Sequence, residues 1–552
     1  MWKELRMNCV EHITPVILSA GRVDETLIPI VGEICSGLIP LGSKPSIFHI
    51  LDKYIDLGFK NVCISVGFQK EKLEKLVRGI YGNKLNLFFV PVDYTKKPGN
   101  SLLEVVEKLG LSSVLVTLAD TIYDFSDVNI YKDDENFILL GKPEEKIFSR
   151  YWSKATVAHG YVSAVYEKDA DVKDAFPIAG IYFFKNIHNY VNKLDKSKNI
   201  ELTDIIKCYI EDKFRIKAVI TDKWIDVGHI FTYYNAKRKL LNRRFFNYFE
   251  YDNTLGTIKK FSKDKEKLRN EILWYLNLPE RLKILTPRII SYDLDAPYVQ
   301  MEYYGYPALA ELYIYGDLPV ETWIMISEKI FEILKTFMGY KGKVDIEDYI
   351  QIYYKKTIKR VNMAIEHSEI LRRLFSYQYI VINGESFRGW GMLKSKLEKK
   401  IYELFHEDHN CIIHGDLCFS NILFDLNTGI FKLLDPRGNF GSNIIYGDVK
   451  YDIAKLRHSI CGLYDFIVNN FFSCSINENR INLEFFFFNE RDISKVQKFF
   501  DSLIEKHGFN IDHIKLIEGL LFISMLPLHS ENPNRQIAQF AQGIRLLNEA
   551  IL

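Results

Sequence analysis

The chain contains 552 residues, of which 47% are hydrophobic and 14% aromatic, so we expect roughly two to four domains with large buried cores. Its 72 Lys and Arg residues almost balance its 71 Asp and Glu residues, which argues against nucleic acid or an anionic membrane as a partner. The eight cysteines form no C-x-x-C pair, the start lacks a signal-peptide pattern, and no apolar run approaches about 18 residues. These features predict a cytoplasmic protein with reduced thiols and no membrane insertion.

Strand-like and helix-like segments alternate over the first third of the chain. The apolar runs TPVILSA and KNVCISVG are typical of strands, and the amphipathic runs PSIFHILDKYIDLG and QKEKLEKLVRGIYG are typical of helices. The segments KLNLFFVP, SLLEVVEKLG and SSVLVTLAD continue the pattern as strand, helix and strand. This alternation predicts an α/β fold with a mostly parallel, Rossmann-like sheet that binds ligands at the carboxyl ends of its strands.

Polar and charged residues follow several of these strands. The turn at residues 19–22, Ser-Ala-Gly-Arg, lets backbone N–H groups approach phosphates, and Arg22 adds positive charge. Asp120 ends the strand SSVLVTLAD, and Asp226 lies in KWIDVGHIF. A single aspartate at a strand end is more often a helix cap or a turn former. The pair together predicts a Mg²⁺ site for a nucleoside triphosphate and a sugar phosphate.

The segments LSAG, GLIPLGSKPSI, PGNSLLE, VYEKD and IAGIYFF, with the two aspartates, resemble the sugar-phosphate nucleotidyltransferases over about residues 12 to 240. Members of that family join a nucleoside triphosphate to a sugar 1-phosphate and release pyrophosphate, and their catalytic domain is Rossmann-like (GT-A-like). The resemblance implies nucleotide contacts from Leu18, Ala20, Gly21, Gly99, Asn100 and Ser101, sugar-phosphate contacts from Lys44, Glu167, Lys168 and Gly180, and Mg²⁺ ligands Asp120 and Asp226.

Two positions depart from the pattern of that family. The second loop glycine is absent, and Arg22 follows Gly21 directly. Cys35 and Ser36 stand where the family usually carries Pro-Lys, a lysine that bridges the phosphates. Either another cation takes that role, for which we expect a catalytic Arg22 or the nearby Lys44, or the domain is slow or only binds its ligands.

The character of the sequence changes from about residue 246. The segment FNYFEYDNTLGTIKKFS predicts a hairpin, DKEKLRNEILWYLNL predicts a helix, and the chain beyond about residue 320 is largely helical in pattern. We therefore place the domain boundary in KRKLLNRRFFNYF and expect domains at 1–245 and 246–552. The second domain is expected to have a small lobe at 246–310 and a helical large lobe at 311–552.

The segments HGDLCFSN and FKLLDPRG have the spacing of a phosphoryl-transfer site. Asp416 is the candidate base that accepts the proton of a substrate hydroxyl, and Asn421 and Asp435 are candidate Mg²⁺ ligands. A lone His-Gly-Asp is more often a turn capped by an aspartate. The ordered occurrence of all these residues, with a suitable lysine and glutamate upstream, favours the catalytic interpretation.

The upstream segment TIKKFSKDKEKLRNE supplies that lysine and glutamate. Strand alternation puts Lys260 on the face of Ile258, so Lys260 is preferred to Lys259 as the catalytic lysine on the ATP phosphates. Glu271 on the following helix is its expected partner. The backbone of Glu302 and Tyr303, in YVQMEYYGY, is expected to meet the adenine.

This set resembles the aminoglycoside phosphotransferase and choline kinase-like family over about residues 246 to 552. Protein kinases carry Arg in place of Gly415, and Phe-Gly in place of Pro436 and Arg437. The resemblance implies a two-lobed, protein-kinase-like α+β fold and a small-molecule hydroxyl as the acceptor. Asp452, in GDVKYDIAKLRHS, is expected to support the catalytic loop.

Together, the two resemblances predict a bifunctional enzyme that uses ATP, a second nucleoside triphosphate and Mg²⁺ in both domains. It phosphorylates a sugar or sugar-like alcohol and couples the product to the nucleoside triphosphate, for a bacterial capsule or surface polysaccharide. Alternatives are a choline or ethanolamine kinase joined to a cytidylyltransferase, an active kinase with a degraded nucleotide-binding domain, and an antibiotic-modifying kinase. A homo-oligomer is compatible with each of them.

Overall fold

The computed structural model describes residues 13–42, 44–126, 128, 135–142, 151–168, 170–241, 247–252, 254–487 and 492–552. The chain divides into two compact units, Met1–Leu240 and Leu241–Leu552. The boundary expected from the sequence, between residues 245 and 246, lies outside the described residues. No helix in the described ranges is both long enough and apolar enough to cross a membrane.

The first unit is mixed α/β. Its strands are β1 (Thr14–Ser19), β2 (Pro40–Leu41), β3 (Lys44–Pro45), β4 (Asn61–Val66), β5 (Asn86–Pro91), β6 (Val114–Leu118), β7 (Thr121–Ile122), β8 (Asn136–Gly141), β9 (Lys154–Ala158), β10 (Tyr161–Tyr166), β11 (Phe176–Phe184), β12 (Ile216–Thr221) and β13 (Ile225–Asp226). Its α-helices span Ile28–Val31, Ser46–Asp56, Lys70–Tyr81, Pro98–Leu109, Leu202–Glu211 and Ile230–Leu241.

Nine of these strands form one sheet in the order β5-β4-β1-β6-β11-β8-β12-β10-β9. The strands β5, β4, β1 and β6 run parallel, as the alternating pattern predicts, whereas β11 is antiparallel to both β6 and β8. The expected parallel pairing therefore holds for these four strands and for β8 with β12, whereas β9, β10 and β11 pair antiparallel with their neighbours. This part of the sheet contains a hairpin, because His159 and Gly160 adopt positive φ angles of 52° and 81° in the two-residue turn between β9 and β10.

The sheet places the carboxyl ends of β1 and β6 side by side. The two strands pair in parallel from Thr14 with Val114 to Leu18 with Leu118. Both strands are almost entirely buried, because side chains on both of their faces lie in the core. The loops after Ser19 and after Leu118 thus leave the same edge of the sheet, where ligands of open α/β sheets bind.

The second unit begins with a four-stranded antiparallel sheet and continues as a mostly helical region. Its strands are β14 (Asn247–Asp252), β15 (Thr257–Ser262), β16 (Ile289–Asp293), β17 (Tyr298–Glu302), β18 (Tyr379–Ile382), β19 (Glu385–Arg388), β20 (Asn410–Ile412), β21 (Ile422–Phe424), β22 (Phe431–Leu433), β23 (Tyr446–Asp448), β24 (Phe472–Asn477) and β25 (Arg480–Phe485). Its α-helices span Lys265–Asn277, Glu280–Lys283, Leu309–Ile314, Val320–Met338, Ile346–Tyr349, Lys356–His367, Glu369–Ser376, Trp390–Leu404, Val449–Ile460, Tyr464–Val468, Ile493–Lys506, Ile511–Met525 and Pro533–Ile551.

The first sheet of this unit has the order β14-β15-β17-β16, and the helix Lys265–Asn277 packs against β15 and β17. Asp264 caps that helix, because its carboxylate accepts a hydrogen bond of 3.0 Å from the backbone N–H of Lys267. Further along, β20 pairs with β23 and β21 pairs with β22. These two small ladders hold the segment between Ile412 and Ile422, which contains Asp416.

Candidate active sites

Two aspartates meet at the sheet edge of the first unit. β13 pairs with β7 so that Asp226 lies opposite Thr121, and the backbone N–H of Val227 donates a hydrogen bond of 2.9 Å to the carbonyl of Asp120. Both carboxylates converge on Gly228. A Cβ atom at that glycine would lie 2.7 Å from Oδ2 of Asp120 and 3.4 Å from Oδ1 of Asp226.

The electrostatics of this pair favour a bound cation. Burial, followed by the neighbouring charge of Asp226, raises the pKa of Asp120 to about 6. Burial also raises the pKa of Asp226, against hydrogen bonds from Gly228 N–H at 3.2 Å and Trp152 Nε1 at 3.3 Å. The described residues contain no cluster of three or more potential metal-ligating side chains. Two carboxylates nevertheless fit Mg²⁺, which takes its other ligands from phosphates and water.

The raised pKa of Asp120 makes the stability of the first unit depend on pH. A carboxyl group with a higher pKa in the folded state binds its proton more tightly there, so stability falls as the pH rises from about 4 to about 6. The rise from 3.8 to about 6 corresponds to about 3 kcal/mol. Without metal at pH 7.5, Asp120→Asn is therefore expected to raise the melting temperature by roughly 5 °C in scanning calorimetry.

The matched control is Asp171→Asn, which changes an exposed carboxylate of the same unit. At pH 4 the gain of Asp120→Asn should vanish, and added Mg²⁺ should raise the melting temperature of the unmodified chain more than that of the variant. Equal melting temperatures for the unmodified chain and the variant throughout pH 4 to 7.5 would contradict the burial of an ionised pair.

The two carboxylates line a cavity of about 380 Å³ together with Glu167, Lys168 and Gly180. Gly180 has a φ of +75°, which favours glycine. A Cβ there would lie 2.8 Å from Oγ1 of Thr121, so a side chain at this position would clash with the cavity wall. Sequence reasoning thus selected five residues that one cavity brings together.

Sequence reasoning missed several aromatic residues of the same cavity. Trp152 donates to Asp226, and Tyr151 stacks on His229 with ring centroids 4.9 Å apart. Burial lowers the pKa of His229, and the charge of Lys168 lowers it further, so the imidazole is neutral near pH 7. In the sequence, the only indication that His229 belongs to this site is its position three residues after Asp226.

The loop after β1 lies at the same sheet edge but outside the lining of that cavity. The backbone N–H of Ser36 donates to the carbonyl of Gly21 at 3.0 Å, and that of Ala119 donates to the carbonyl of Leu18 at 3.1 Å. The carbonyl of Ala20 accepts from Phe68 N–H at 2.8 Å. A Cβ at Gly21 would meet no atom within 4 Å, so the turn faces open space in which a phosphate group fits.

The cations expected to replace the missing lysine are both held by acidic side chains. Arg22 is half exposed and forms an ion pair of 3.0 Å with Glu33. Lys44 forms an ion pair with Asp52. Both are therefore engaged within the protein at positions away from the cavity that contains the aspartates.

The two residues that replace the usual Pro-Lys differ in exposure. Cys35 is buried, and its thiol donates a hydrogen bond of 3.1 Å to the carbonyl of Ser19. Burial raises the pKa of this thiol, so it is a packed neutral group. Ser36 is half-buried at the start of a short 3-10 helix.

The residues expected to contact the nucleotide base begin the helix Pro98–Leu109. The side chain of Asn100 donates to the carbonyl of Lys198 at 2.9 Å and accepts from the N–H of Ile200 at 2.8 Å. A Cβ at Gly99 would lie 2.7 Å from the carbonyl oxygen of Glu201. Ser101 is buried in the same turn. The amide of Asn100 is thus used to hold the segment 196–201 against the helix.

A buried lysine joins two carboxylates in the second unit. Nζ of Lys260 lies 2.8 Å from both carboxylate oxygens of Glu271 and 2.8 Å from Oδ1 of Asp435. Burial alone would lower the pKa of Lys260, but the charges of Asp435 and Glu271 outweigh it and raise the pKa above its ordinary value. Lys259 points to the other face, with its Nζ 3.8 Å from the ring centre of Tyr298. The lysine preferred from strand alternation is the one that meets Glu271.

A second cluster of charged and polar side chains surrounds Asp416. Its Oδ1 lies 2.8 Å from Nζ of Lys455, and Nδ2 of Asn421 donates to its backbone carbonyl at 2.9 Å and to its Oδ2 at 3.2 Å. Burial would raise the pKa of Asp416, but the ion pair with Lys455 lowers it to about 2. The side-chain oxygens of Asn421 and Asp435 are the ligand type that Mg²⁺ prefers, so these residues fit the expected metal.

Asp452 holds the turn that presents Asp416. Its carboxylate accepts backbone N–H bonds from His414 at 2.7 Å and from Gly415 at 2.8 Å. Gly415 has a φ of +76°, which favours glycine at this position. Sequence reasoning missed Lys455, although it lies three residues after Asp452, a spacing that brings side chains together on one face of a helix.

The segment expected to bind adenine follows β17. The backbone N–H of Glu302 donates to the carbonyl of Arg288 at 3.0 Å, and that of Tyr303 donates to the carbonyl of Gly256 at 3.1 Å. Both amides are engaged within the protein. An adenine at this edge would use carbonyl oxygens or another amide of the segment.

Comparison with known proteins finds matches to the first unit. A family model described as "Nucleotidyl transferase" matches residues 14–243. The chain is 28% identical over 242 residues to "Bifunctional protein GlmU" of Methanocaldococcus jannaschii, covering 41% of this chain and 54% of that protein. It is 24% identical over 228 residues to "UTP--glucose-1-phosphate uridylyltransferase AglF" of Haloferax volcanii, covering 39% and 90%. The chain thus spans about half the length of the first relative.

Among solved structures, the inositol-1-phosphate CTP transferase from T. maritima matches with a TM-score of 0.36 and 13% identity, covering 42% of this chain and 96% of that one. A likeness at this level carries no further argument. The matched residues 14–243 are those that form the mixed α/β sheet of the first unit, so this unit is similar to nucleotidyl transferase domains in both sequence and fold class. More particularly, the relatives of this unit include the uridylyltransferase of Haloferax volcanii and the "Glucose-1-phosphate thymidylyltransferase" of Streptomyces griseus, which is 23% identical over 240 residues.

Proposed function

We propose that the chain is bifunctional. The second unit transfers the γ-phosphoryl group of ATP to a hydroxyl of a sugar or sugar-like alcohol X. The first unit then joins X-phosphate to a nucleoside triphosphate, giving NDP-X and pyrophosphate, as in the supply of nucleotide sugars to a bacterial capsule or surface polysaccharide. The observation that carries the proposal for the first unit is the half-buried pair of Asp120 and Asp226 in one cavity with Glu167 and Lys168.

In the first unit, the chemistry needs an approach of two highly charged groups. A phosphate oxygen of X-phosphate attacks the α-phosphorus, the bond from that phosphorus to the β-phosphate oxygen breaks, and pyrophosphate leaves. Asp120 and Asp226 would hold Mg²⁺, which neutralises charge on the triphosphate. The positive charge of Lys168 acts on both aspartates, because it offsets part of the rise in the pKa of each. Glu167, hydrogen-bonded by Thr203, can accept hydroxyl groups of X.

In the second unit, two sets of contacts support phosphoryl transfer. Lys260 pairs with Glu271 and Asp435, and Asp416 accepts a hydrogen bond from Asn421. Glu271 fixes the ammonium group that would bind ATP phosphates. Asn421 and Asp435 would hold Mg²⁺, which neutralises charge as it does in known phosphotransferases. With a pKa of about 2, Asp416 is ionised, so it orients the acceptor hydroxyl and takes its proton late in the transfer.

The assay that tests this proposal measures two products from the full chain. ADP release is followed with ATP and a panel of alcohols and sugars, and pyrophosphate release with each nucleoside triphosphate and a panel of sugar phosphates. The proposal expects both activities and transfer of the phosphoryl group from the first product into the second. If pyrophosphate is released but no ADP is released with any acceptor, the proposed kinase activity of the second unit is wrong.

A second candidate, in which the first unit only binds nucleotide, is favoured by one observation. Ser36 replaces the usual lysine, and Arg22 and Lys44 are both paired with carboxylates. In that case the substitution Ser36→Lys should raise pyrophosphate release from a negligible level. The bifunctional proposal expects substantial release from the unmodified chain.

In the bifunctional case Lys168 takes the cationic role. Lys168→Met is expected to lower the rate constant of pyrophosphate release by about 10²–10³-fold, the usual effect of losing one preorganised donor to a developing charge. Arg22→Ala should cost less, because that guanidinium is exposed and bound to Glu33. The matched control is Lys173→Met, an exposed lysine five residues further on. A larger loss for Arg22→Ala than for Lys168→Met would reassign the role to the loop after β1.

A further inference from the structure

A cavity of about 560 Å³ in the second unit opens beside Asp416 and is rich in cations. Lys356, Arg360, Arg437 and Lys455 all line it. Lys455 is neutralised by Asp416 at 2.8 Å. Lys267 also lines the cavity but is exposed. In the described ranges, no carboxylate lies within ion-pair distance of the three half-buried cations that remain. The wall of the cavity therefore carries more positive charge than the proposed transfer at Asp416 requires.

The three unneutralised cations, which we call the cationic trio, are Lys356, Arg360 and Arg437. Their hydrogen bonds within the described ranges go to neutral oxygens, and Lys356 and Arg437 also lie over the ring of Tyr451. Nη1 of Arg437 donates to the hydroxyl of Tyr451 at 2.9 Å, and Nζ of Lys356 lies 3.4 Å from the same hydroxyl. Nη1 of Arg360 donates to the backbone carbonyl of Ser524 at 3.1 Å. These contacts fix the directions of the three side chains without balancing their charge.

Placing like charges together in a half-buried wall is unfavourable. Burial, followed by the charges of Arg437 and Arg360, lowers the pKa of Lys356 well below its ordinary value. Asp264 and Glu266 also line the cavity, but both are exposed at the start of their helix, and Asp264 caps that helix. They are therefore solvated, and the half-buried part of the wall keeps a net positive charge.

The remaining wall is apolar. Leu521, Met525 and Leu528 line the cavity beside the trio. Guanidinium groups present paired N–H donors that match the oxygens of a carboxylate or a phosphate. A pocket with an apolar side, a cationic side and an ionised Asp416 suits a molecule with a hydroxyl at one end and an anionic group at the other.

We propose that the acceptor of the phosphoryl group carries an anionic group, a carboxylate or a phosphate, that the cationic trio binds. This rests on the proposed phosphoryl transfer in the second unit. The bond from the γ-phosphorus to the bridging oxygen of ATP breaks, a bond from that phosphorus to the acceptor hydroxyl oxygen forms, the hydroxyl proton passes to Asp416, and ADP leaves. The product is a phosphate ester with a second anionic group. Choline and ethanolamine, which are cations, are disfavoured as acceptors.

The experiment compares four acceptors that share a primary hydroxyl but differ in charge: glycerol, glycerate, glycerol 3-phosphate and choline. ADP release by the full chain is measured at saturating ATP. The expected result is a kcat/KM at least tenfold higher for glycerate or glycerol 3-phosphate than for glycerol, and lowest for choline. The two anions distinguish a carboxylate site from a phosphate site.

Variants connect the preference to the trio. Arg360→Gln and Lys356→Gln are expected to raise the KM of the anionic acceptor at least tenfold and to leave the KM of ATP unchanged. Lys359→Gln is the matched control, because it removes an exposed charge from the same helix. Binding of inorganic phosphate to the full chain with a non-hydrolysable ATP analogue, measured by calorimetry, should weaken by the same factor in both variants.

The outcomes separate this inference from the proposed function. A preference for glycerol or choline, with ADP release intact, would overturn the anionic acceptor and leave the kinase standing. A rise in the KM of ATP alone would also overturn it, because the trio would then serve the nucleotide. If the full chain releases no ADP with any acceptor and does not bind ATP, the proposed kinase function itself fails.

Discussion

Asp416→Asn is expected to lower ADP release by about 10²–10⁴-fold, the usual effect of removing a general base. The amide cannot accept the hydroxyl proton as a carboxylate does. ATP binding should persist, because Lys260, Glu271 and Asp435 keep their contacts. Single-turnover measurement of ADP formation, with ATP binding followed by calorimetry, tests both halves of this expectation.

The variant needs a stability control, since Asp416 neutralises the buried Lys455. Leaving that ammonium group unpaired is destabilising, so the melting temperature of Asp416→Asn must be measured beside its activity. Asp408→Asn, at an exposed position of the same unit, is the matched substitution. Turnover at the level of the unmodified chain in a folded Asp416→Asn protein would show that the loop is not the catalytic one.

The double substitution Asp120→Ala with Asp226→Ala is expected to eliminate pyrophosphate release and spare ADP release. Both proposed metal ligands of the first unit disappear, so the triphosphate loses the cation that neutralises it. The kinase-like site is unaffected because its carboxylates belong to the second unit. Measurement of both products from the same sample makes each activity the control for the other.

Two results would contradict this separation. Loss of both activities in a folded double variant would mean that the reactions share one composite site. Retention of pyrophosphate release would mean that Asp120 and Asp226 are only a buried structural pair. Lys223→Gln, near Asp226 in sequence but exposed, tests whether any charge change in that region has the same effect.

The beginning of the fold was predictable because its strands and helices are local patterns. TPVILSA and SSVLVTLAD are apolar runs long enough for strands, and they are β1 and β6. The antiparallel hairpin of β9 and β10 was not predicted, because the two strands have side chains of mixed polarity and their turn depends on φ angles at His159 and Gly160. Strand order across the sheet is set by long-range packing that no local pattern records.

The same distinction applies to the candidate sites. Lys260 and Glu271 were recognisable because they lie only eleven positions apart in the chain, across a strand, a turn and a helix. Asp435 was recognisable by its motif, but its contact with Lys260 joins residues 175 apart in the chain. Lys356 and Arg360 share the helix Lys356–His367, far in sequence from Arg437 and Lys455. The spacing from Asp452 is a local signal for Lys455, but nothing in the sequence around Lys356 and Arg360 distinguishes them from ordinary surface cations.

The shared position of Lys260 between Glu271 and Asp435 has a consequence for nucleotide affinity. In the proposed reaction, the ammonium group would exchange the carboxylate of Asp435 for a phosphate oxygen, and Asp435 would then be available to hold Mg²⁺, whose charge would replace that of the ammonium group. Each charge therefore leaves one partner as it gains another, and neither the empty nor the loaded site contains a stranded ion. The ion pair lost with Asp435 and the ion pair gained with the phosphate are of the same kind. The ion pair in the empty site therefore lowers the free energy of reorganising the site when ATP binds, but it adds little net affinity. The tightness of ATP binding must then come from the adenosine contacts, and nucleotide analogues should be discriminated there.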